Sequence, residues 1–100
     1  MPVESALSSD GKTLTISISI SGRFDFEIVQ EFRGAYSQHK GVNYVIDMRG
    51  TEHMDSSALG MLLNMRKSLG DSTKISIINS RPQIKKILTI SRFDKKFDIE

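Results

Sequence analysis

The chain contains no cysteine. That removes disulfides, thiolate metal ligands and thiol nucleophiles together, and it fits a reducing, cytoplasmic setting. Long apolar stretches are missing as well. The longest uninterrupted runs, such as Met61-Leu62-Leu63, are three residues, far short of the roughly 20 that cross a bilayer. The opening residues Met1-Pro2-Val3-Glu4-Ser5 carry neither the basic start nor the apolar core of a secretory signal. Histidine is scarce: His39 and His53 are the two present, without helical pairing, so neither a metal nor a cofactor is expected. A strong charge of one sign is also lacking, with 14 Lys+Arg against 12 Asp+Glu. The six bases between Arg81 and Lys96 stand against Asp94 alone, yet only Phe93 is interleaved with them. Single-strand binding usually needs several aromatic platforms, so the run reads as a solvated helix face and no nucleic acid is expected.

What remains is an ordinary globular composition, 38% hydrophobic and 26% charged over 100 residues. That length buries a little over ~60% of the unfolded surface, enough for one core. No repeat, linker or low-complexity tract interrupts it, so residues 1–100 read as a single domain.

Leu14, Ile16, Ile18 and Ile20 alternate with Thr13, Thr15, Ser17, Ser19 and Ser21, the period of a strand with one buried and one wet face. Val3 to Leu7 reads as its hairpin partner across Ser9-Asp10-Gly11. Asp25 is placed to cap a helix whose stripe is Ile28, Val29, Phe32, Ala35 and Tyr36, running to about Gln38 with His39 at its end and Gly41 beyond. Tyr44 to Met48 is short and nearly all apolar, as in a strand buried on both faces. A second helix starts at Asp55-Ser56-Ser57 and runs to Leu69, with an inward stripe of Leu59, Leu62, Met65 or Arg66, and Leu69, and Gly70 as its stop. Lys74 to Ile78 reads as a buried strand. Ser80-Arg81-Pro82-Gln83 has the form of a capping box opening a third helix with Ile84, Ile87 and Leu88 facing inward. Phe97 to Ile99 reads as a last short strand. The pattern is an α/β fold, a mixed sheet with helices packed on it, and its functional surface is expected where strands hand over to helices.

The middle junction, Met54-Asp55-Ser56-Ser57-Ala58-Leu59-Gly60, is the informative one. The free N–H groups and positive dipole end of a helix start stabilise an anion, so a phosphate on Ser56, with about −1.5 to −2 charge, would be held without unfolding the domain. The same spacing also fits a plain helix cap, and on the residues alone both readings stand.

That heptad resembles the Asp-Ser-Ser-Gly-Leu-Gly signature of the STAS family, the anti-sigma factor antagonists. Ser21-Gly22-Arg23-Phe24-Asp25 is similar to the family's Gly-x-Leu-Asp turn, Val45-Ile46-Asp47-Met48 to its central strand, and Asn79 to Ile84 with Ile87-Leu88 to its final helix. Ser91-Arg92-Phe93 resembles its Ser-Gly-Leu-Phe close. The resemblance implies a cytoplasmic protein-binding switch without enzymatic activity, phosphorylated at Ser56 by a partner serine kinase, often an anti-sigma factor, and restored by a serine phosphatase. The unphosphorylated form sequesters the anti-sigma factor or switch kinase. It further implies a contact surface of Asp25, Asp55, Ser56 and Ser57. Met54, as a methionine that repacks easily, is expected exposed beside them as part of the binding patch, and the default for the unbound protein is a monomer. Ala58 departs from the family's glycine; its methyl is expected at the contact surface.

Two other functions fit the same residues. One is a soluble, non-phosphorylated STAS subunit of a stress-sensing or lipid-transport complex. The other is a nucleotide- or anion-binding module at the Ser56 helix start, although no Gly-x-x-x-x-Gly-Lys loop is present. An enzyme built on His53, Asp55 and Ser56 would need three near neighbours in sequence to converge in space, and no Gly-x-Ser-x-Gly elbow supports it.

Overall fold

The computed structural model describes residues 2–37 and 41–100; the expected places of Gln38 and His39 lie outside them. Alternation governs its centre. β2 (Leu14–Ile20) buries Ile16, Ile18 and Ile20 and leaves Thr15, Ser17 and Ser19 half-buried. β1 (Val3–Ser9) pairs with it antiparallel, Val3 opposite Ile20 and Ser9 opposite Leu14. The hairpin closes where Asp10 Oδ1 accepts the Thr13 N–H at 2.9 Å and Gly11 takes a φ of 99°, open to glycine at no steric cost. Leu14 leaves the buried set because it sits at the hairpin end, where it is exposed beside Leu7.

From β2 the sheet runs parallel through β4 (Asn43–Asp47), β6 (Ile75–Ile78) and the two-residue β7 (Asp98–Ile99), in the order β1-β2-β4-β6-β7. The parallel register places Ile18 beside Ile46 and Ile46 beside Ile77, so one face is a continuous sheet of branched side chains. Each fully buried side chain of this size contributes about 1.5–3 kcal/mol. β4 differs from expectation. It buries Tyr44 and Ile46 on that face, while Asn43, Val45 and Asp47 on the other are half-buried, because the second face of this sheet carries Thr15, Ser17 and Ser19 and is not a second core.

α1 (Val29–Tyr36), preceded by a 3-10 turn at Phe26–Ile28, buries Ile28, Phe32 and Tyr36. α2 (Ser56–Leu69) buries Ala58, Met61, Leu62, Met65 and Arg66; Leu59, expected inward, packs only at the edge, and Met61 takes the inner place. α3 (Pro82–Ile90) buries Ile84 and Leu88, one turn apart, and leaves Ile87 and Ile90 exposed. The expected capping box does not form. Asn79 adopts a left-handed φ of 59° and the N-cap falls on Arg81, so Ser80 stands one residue too early and its buried Oγ has no hydrogen-bond partner.

Arg66 ties the lower end of the molecule together. Its guanidinium donates to the carbonyls of Gly70 at 2.9 Å, Thr73 at 2.6 Å and Lys96 and lies 5.2 Å from the centroid of Phe97, which stacks on Phe93. The dipoles of three carbonyls stand in for a counter-ion.

Candidate functional site

Two very short strands position the site. β3 (Gly22–Phe24) and β5 (Thr51–Met54) pair in parallel, Arg23 beside His53 and Phe24 beside Met54. They are anchored to the main sheet. Gly22 N–H donates to Gly50 C=O at 2.8 Å, and the buried Thr51 hydroxyl donates to Ile20 C=O at 2.8 Å. The approach is close at Gly50, where a Cβ would sit 3.0 Å from Ser21 Oγ and the serine side chain would have to give way. With three and four residues, neither strand offers a window in which periodicity is visible, and the sequence shows both only as junctions.

Neighbouring strands lie roughly 4.8 Å apart, so continuing the register one step past Phe24 and Met54 brings Asp25 beside Asp55. Each aspartate is an N-cap. Asp25, buried at 6% exposure, accepts the Glu27 N–H at 3.0 Å on Oδ1 and Arg23 Nε at 3.3 Å on Oδ2. Asp55 Oδ1 accepts the Ser57 N–H at 3.0 Å, the Ala58 N–H at 3.3 Å and the Ser57 hydroxyl at 2.5 Å. The Ser57 hydroxyl, assisted by the two N–H groups and the charge of His53, holds the Asp55 carboxyl below the ordinary aspartate value against a smaller opposing effect of desolvation.

These bonds separate the two serines. Ser57 is half-buried and its hydroxyl is committed to Asp55. Ser56 is exposed at the first position of α2, and no hydrogen bond engages its hydroxyl. An attacking or modifying group meets Ser56 first. A dianion there would meet the positive end of the α2 dipole, the Ser57 and Ala58 N–H groups being already taken by Asp55.

Three expected surface groups are inside, and the first is Asp25, whose carboxylate is turned onto the Glu27 N–H and Arg23. Met54 is 6% exposed, because the β3–β5 pairing aims it with Phe24 into the core. The Ala58 methyl is fully buried on the same stripe as Met61 and Leu62, so it meets the core and not a partner. His53 is exposed as expected but belongs to β5 and not to a loop. His53, Asp55 and Ser56 share no hydrogen bond with one another, and among the described residues no group of three or more His, Asp or Glu is placed to hold a metal ion. No helix among the described residues is long and apolar enough to cross a membrane. A cleft of about 320 Å³ lies at the opposite end of α2, bordered by Arg66, Thr73, Lys95 and Phe97.

A family model described as Mlab, STAS domain, matches residues 5–99. A STAS-domain containing protein of Pseudomonas aeruginosa (strain UCBPP-PA14) is 44% identical over 102 residues, covering 99% of this chain and 99% of that protein. Among solved structures, an anti-sigma factor antagonist from Mycobacterium paratuberculosis aligns with a TM-score of 0.72 at 19% identity, over 97% of this chain and 84% of that one. The anti-sigma factor antagonist SpoIIAA in its unphosphorylated form gives 0.64 at 19% identity, over 97% and 87%. At these identities the two structures bear on the fold.

Proposed function

The chain belongs to the STAS-domain family, and from that premise we propose that it is an anti-sigma factor antagonist working as a phosphorylation-controlled protein-binding switch. In its unphosphorylated form it sequesters an anti-sigma factor or switch kinase in the cytoplasm. Phosphorylation at Ser56 releases that partner, a serine phosphatase reverses the change, and the chain itself catalyses nothing and is a monomer until bound. One observation carries the choice of residue: of the two serines at the start of α2, Ser57 is held by Asp55 and Ser56 is exposed and unengaged.

The physical effect follows from charge. A near-dianion inside a protein interface must be desolvated or matched, and an unmatched charge there costs several kcal/mol. A penalty of about 3 kcal/mol weakens binding roughly a hundredfold. Asp55, half-buried and next in sequence to Ser56, adds like charge to the phosphate in the modified state.

The test is the intact mass of the protein purified from its native host under phosphatase inhibition, beside Ser56→Ala. A species heavier by one phosphate that vanishes in Ser56→Ala, with a partner retained by Ser56→Ala and lost by Ser56→Asp, is the expected result. A chain that carries no phosphate in any growth condition, and whose two variants bind alike, is instead a constitutive subunit of a larger complex. The completeness of the Asp55 cap without Ser56 favours that as the second reading.

A further inference from the structure

The bases near the C-terminus fall into two groups. Lys95 and Lys96 line the lower cleft with Lys74, and Asp71, Asp94 and Asp98 line it with them, so charge there is close to balance. The surplus sits on α3. Residues 82–90 contain no acid. Lys85 and Lys86 are exposed on the helix, and exposed Arg81 and Arg92 flank its two ends. Among the described residues none of these four side chains makes an ion pair or a hydrogen bond, so their fields add.

Two apolar side chains stand among them that the core does not take. Ile84 and Leu88, one turn apart, are the buried line of α3. Ile90 is two residues past Leu88 and so on the far side of the helix, where it is 70% exposed; Ile87, one turn before Ile90, is 38% exposed. Lys86 lies four residues before Ile90, on the same outward line. The face that turns away from the core is therefore isoleucine bordered by bases.

We propose that this face of α3 rests the protein on an anionic lipid surface, with Ile87 and Ile90 entering the headgroup boundary and Arg81, Lys85, Lys86 and Arg92 meeting the lipid phosphates. Charge and shape select the occupant. Four unpaired bases without an acid on the helix call for an anionic partner. Nine residues carrying two apolar side chains offer far less than the roughly 1,200 Å² of a specific protein interface. A fluid surface closes around single protruding side chains, and lysine stems lie along its apolar boundary while their ammonium groups reach the headgroups. The contact is separate from the switch at Ser56 and does not depend on it. β4 and β6 are parallel, so α2 and α3, which follow them, start at the same end of the sheet, and Ile90 and Arg92 lie at the opposite end from Ser56.

The test is sedimentation of the full chain with vesicles of phosphatidylglycerol in phosphatidylcholine at about 0.1 M salt, beside vesicles of phosphatidylcholine alone. The expected result is binding to the first and not to the second, with release as salt rises toward about 1 M. Ile90→Ser weakens binding about tenfold, and Lys85→Gln with Lys86→Gln about thirtyfold, at about fivefold for each charge. Leu7→Ser and Lys12→Gln, which remove an exposed leucine and an exposed lysine from the β1–β2 hairpin, leave it unchanged. All these variants change exposed side chains, and unchanged amide spectra establish that they fold. Failure to sediment with the anionic vesicles, equal sedimentation with the neutral ones, or equal weakening by the hairpin variants overturns the proposal. Wild-type binding by Ile90→Ser overturns the insertion of α3. Binding to polyglutamate or duplex DNA in place of vesicles, abolished by the α3 variants, assigns the face to an acidic protein or a nucleic acid and overturns the lipid surface.

Discussion

Replacing Arg66 with methionine tests how the scaffold holds α2. Methionine keeps the apolar stem but removes a guanidinium that bonds the carbonyls of Gly70, Thr73 and Lys96 and sits over Phe97. Bonds of this charge-assisted kind are worth about 1.5–3 kcal/mol each, and the ring contact adds about 1 kcal/mol. Against them stands the desolvation of a guanidinium that is only 8% exposed, several kcal/mol. Methionine leaves no charge behind but leaves three part-buried carbonyls short of a donor, a net loss of about 3 kcal/mol, which at 4–8 °C per kcal/mol for a domain of this size lowers the melting temperature by roughly 12–24 °C. Calorimetry and urea unfolding read it. The start of α2, ten residues or about 15 Å away, keeps its amide chemical shifts, because Asp55 holds it independently. A loss under about 1 kcal/mol would refute the reasoning: the three carbonyls would then be finding water from the adjacent cleft, and the desolvation of Arg66 would cancel its bonds.

Three smaller perturbations address single links. Asp25→Ala removes the cap on Glu27 N–H and the ion pair to the exposed Arg23, and lowers stability by about 1–2 kcal/mol, whereas Asp25→Asn keeps the cap and recovers most of it in thermal unfolding. Arg92 holds a left-handed φ of 63° just past α3, so Arg92→Gly raises stability by about 0.5–1 kcal/mol, read as a higher urea midpoint. Asp55 is depressed below its ordinary 3.8 chiefly by the Ser57 hydroxyl. Its contribution is therefore fully present above that value and lost as pH falls through the lower folded value. Ser57→Ala moves the titration of the Asp55 carboxyl carbon, followed by NMR, up toward 3.8, and the stability difference between wild type and Ser57→Ala closes as the solution is acidified through that window.

Much of this architecture is written in residue periods. The serine-isoleucine alternation of β2 and the Asp55 and Gly70 bounds of α2 are local signals, and both elements stand where they place them; the three-and-four spacing of α1 marks its buried stripe, but the Asp25 cap opens a 3-10 turn and α1 begins only at Val29. The failures share a cause: they depend on partners distant in sequence. Met54 reads as exposed because nothing nearby reveals that β5 pairs with β3 across some thirty residues and turns it inward. β4 reads as doubly buried because its apolar run does not say which face the helices cover. Ser80 reads as a cap because the left-handed turn at Asn79 is invisible in the residue type. At the candidate site the motif is legible, but the distinction between Ser56 and Ser57 is not. It rests on a hydroxyl–carboxylate bond that only the folded turn displays.

That bond also determines what kind of switch a phosphate on Ser56 throws. The cap of α2 is complete without the Ser56 hydroxyl: Asp55 takes two N–H groups and the Ser57 hydroxyl, and Ser56 gives nothing to the fold. Adding charge at the first helical position gains about 0.3–1 kcal/mol from the dipole for each unit and meets repulsion from neighbouring Asp55, so the two effects largely offset. Stoichiometric phosphorylation is then expected to shift the melting temperature by no more than a few degrees, and to leave amide shifts beyond the first turn of α2 in place, while partner affinity falls by about two orders of magnitude. Calorimetry and an amide correlation spectrum of the phosphorylated protein check both sides at once. A shift beyond about 16 °C, which even at 8 °C per kcal/mol exceeds the ~2 kcal/mol that the dipole supplies to a dianion, or displaced resonances along β4 and β6, would mean that the phosphate rearranges the domain, and that release works through conformation and not through the charge presented at an unchanged surface.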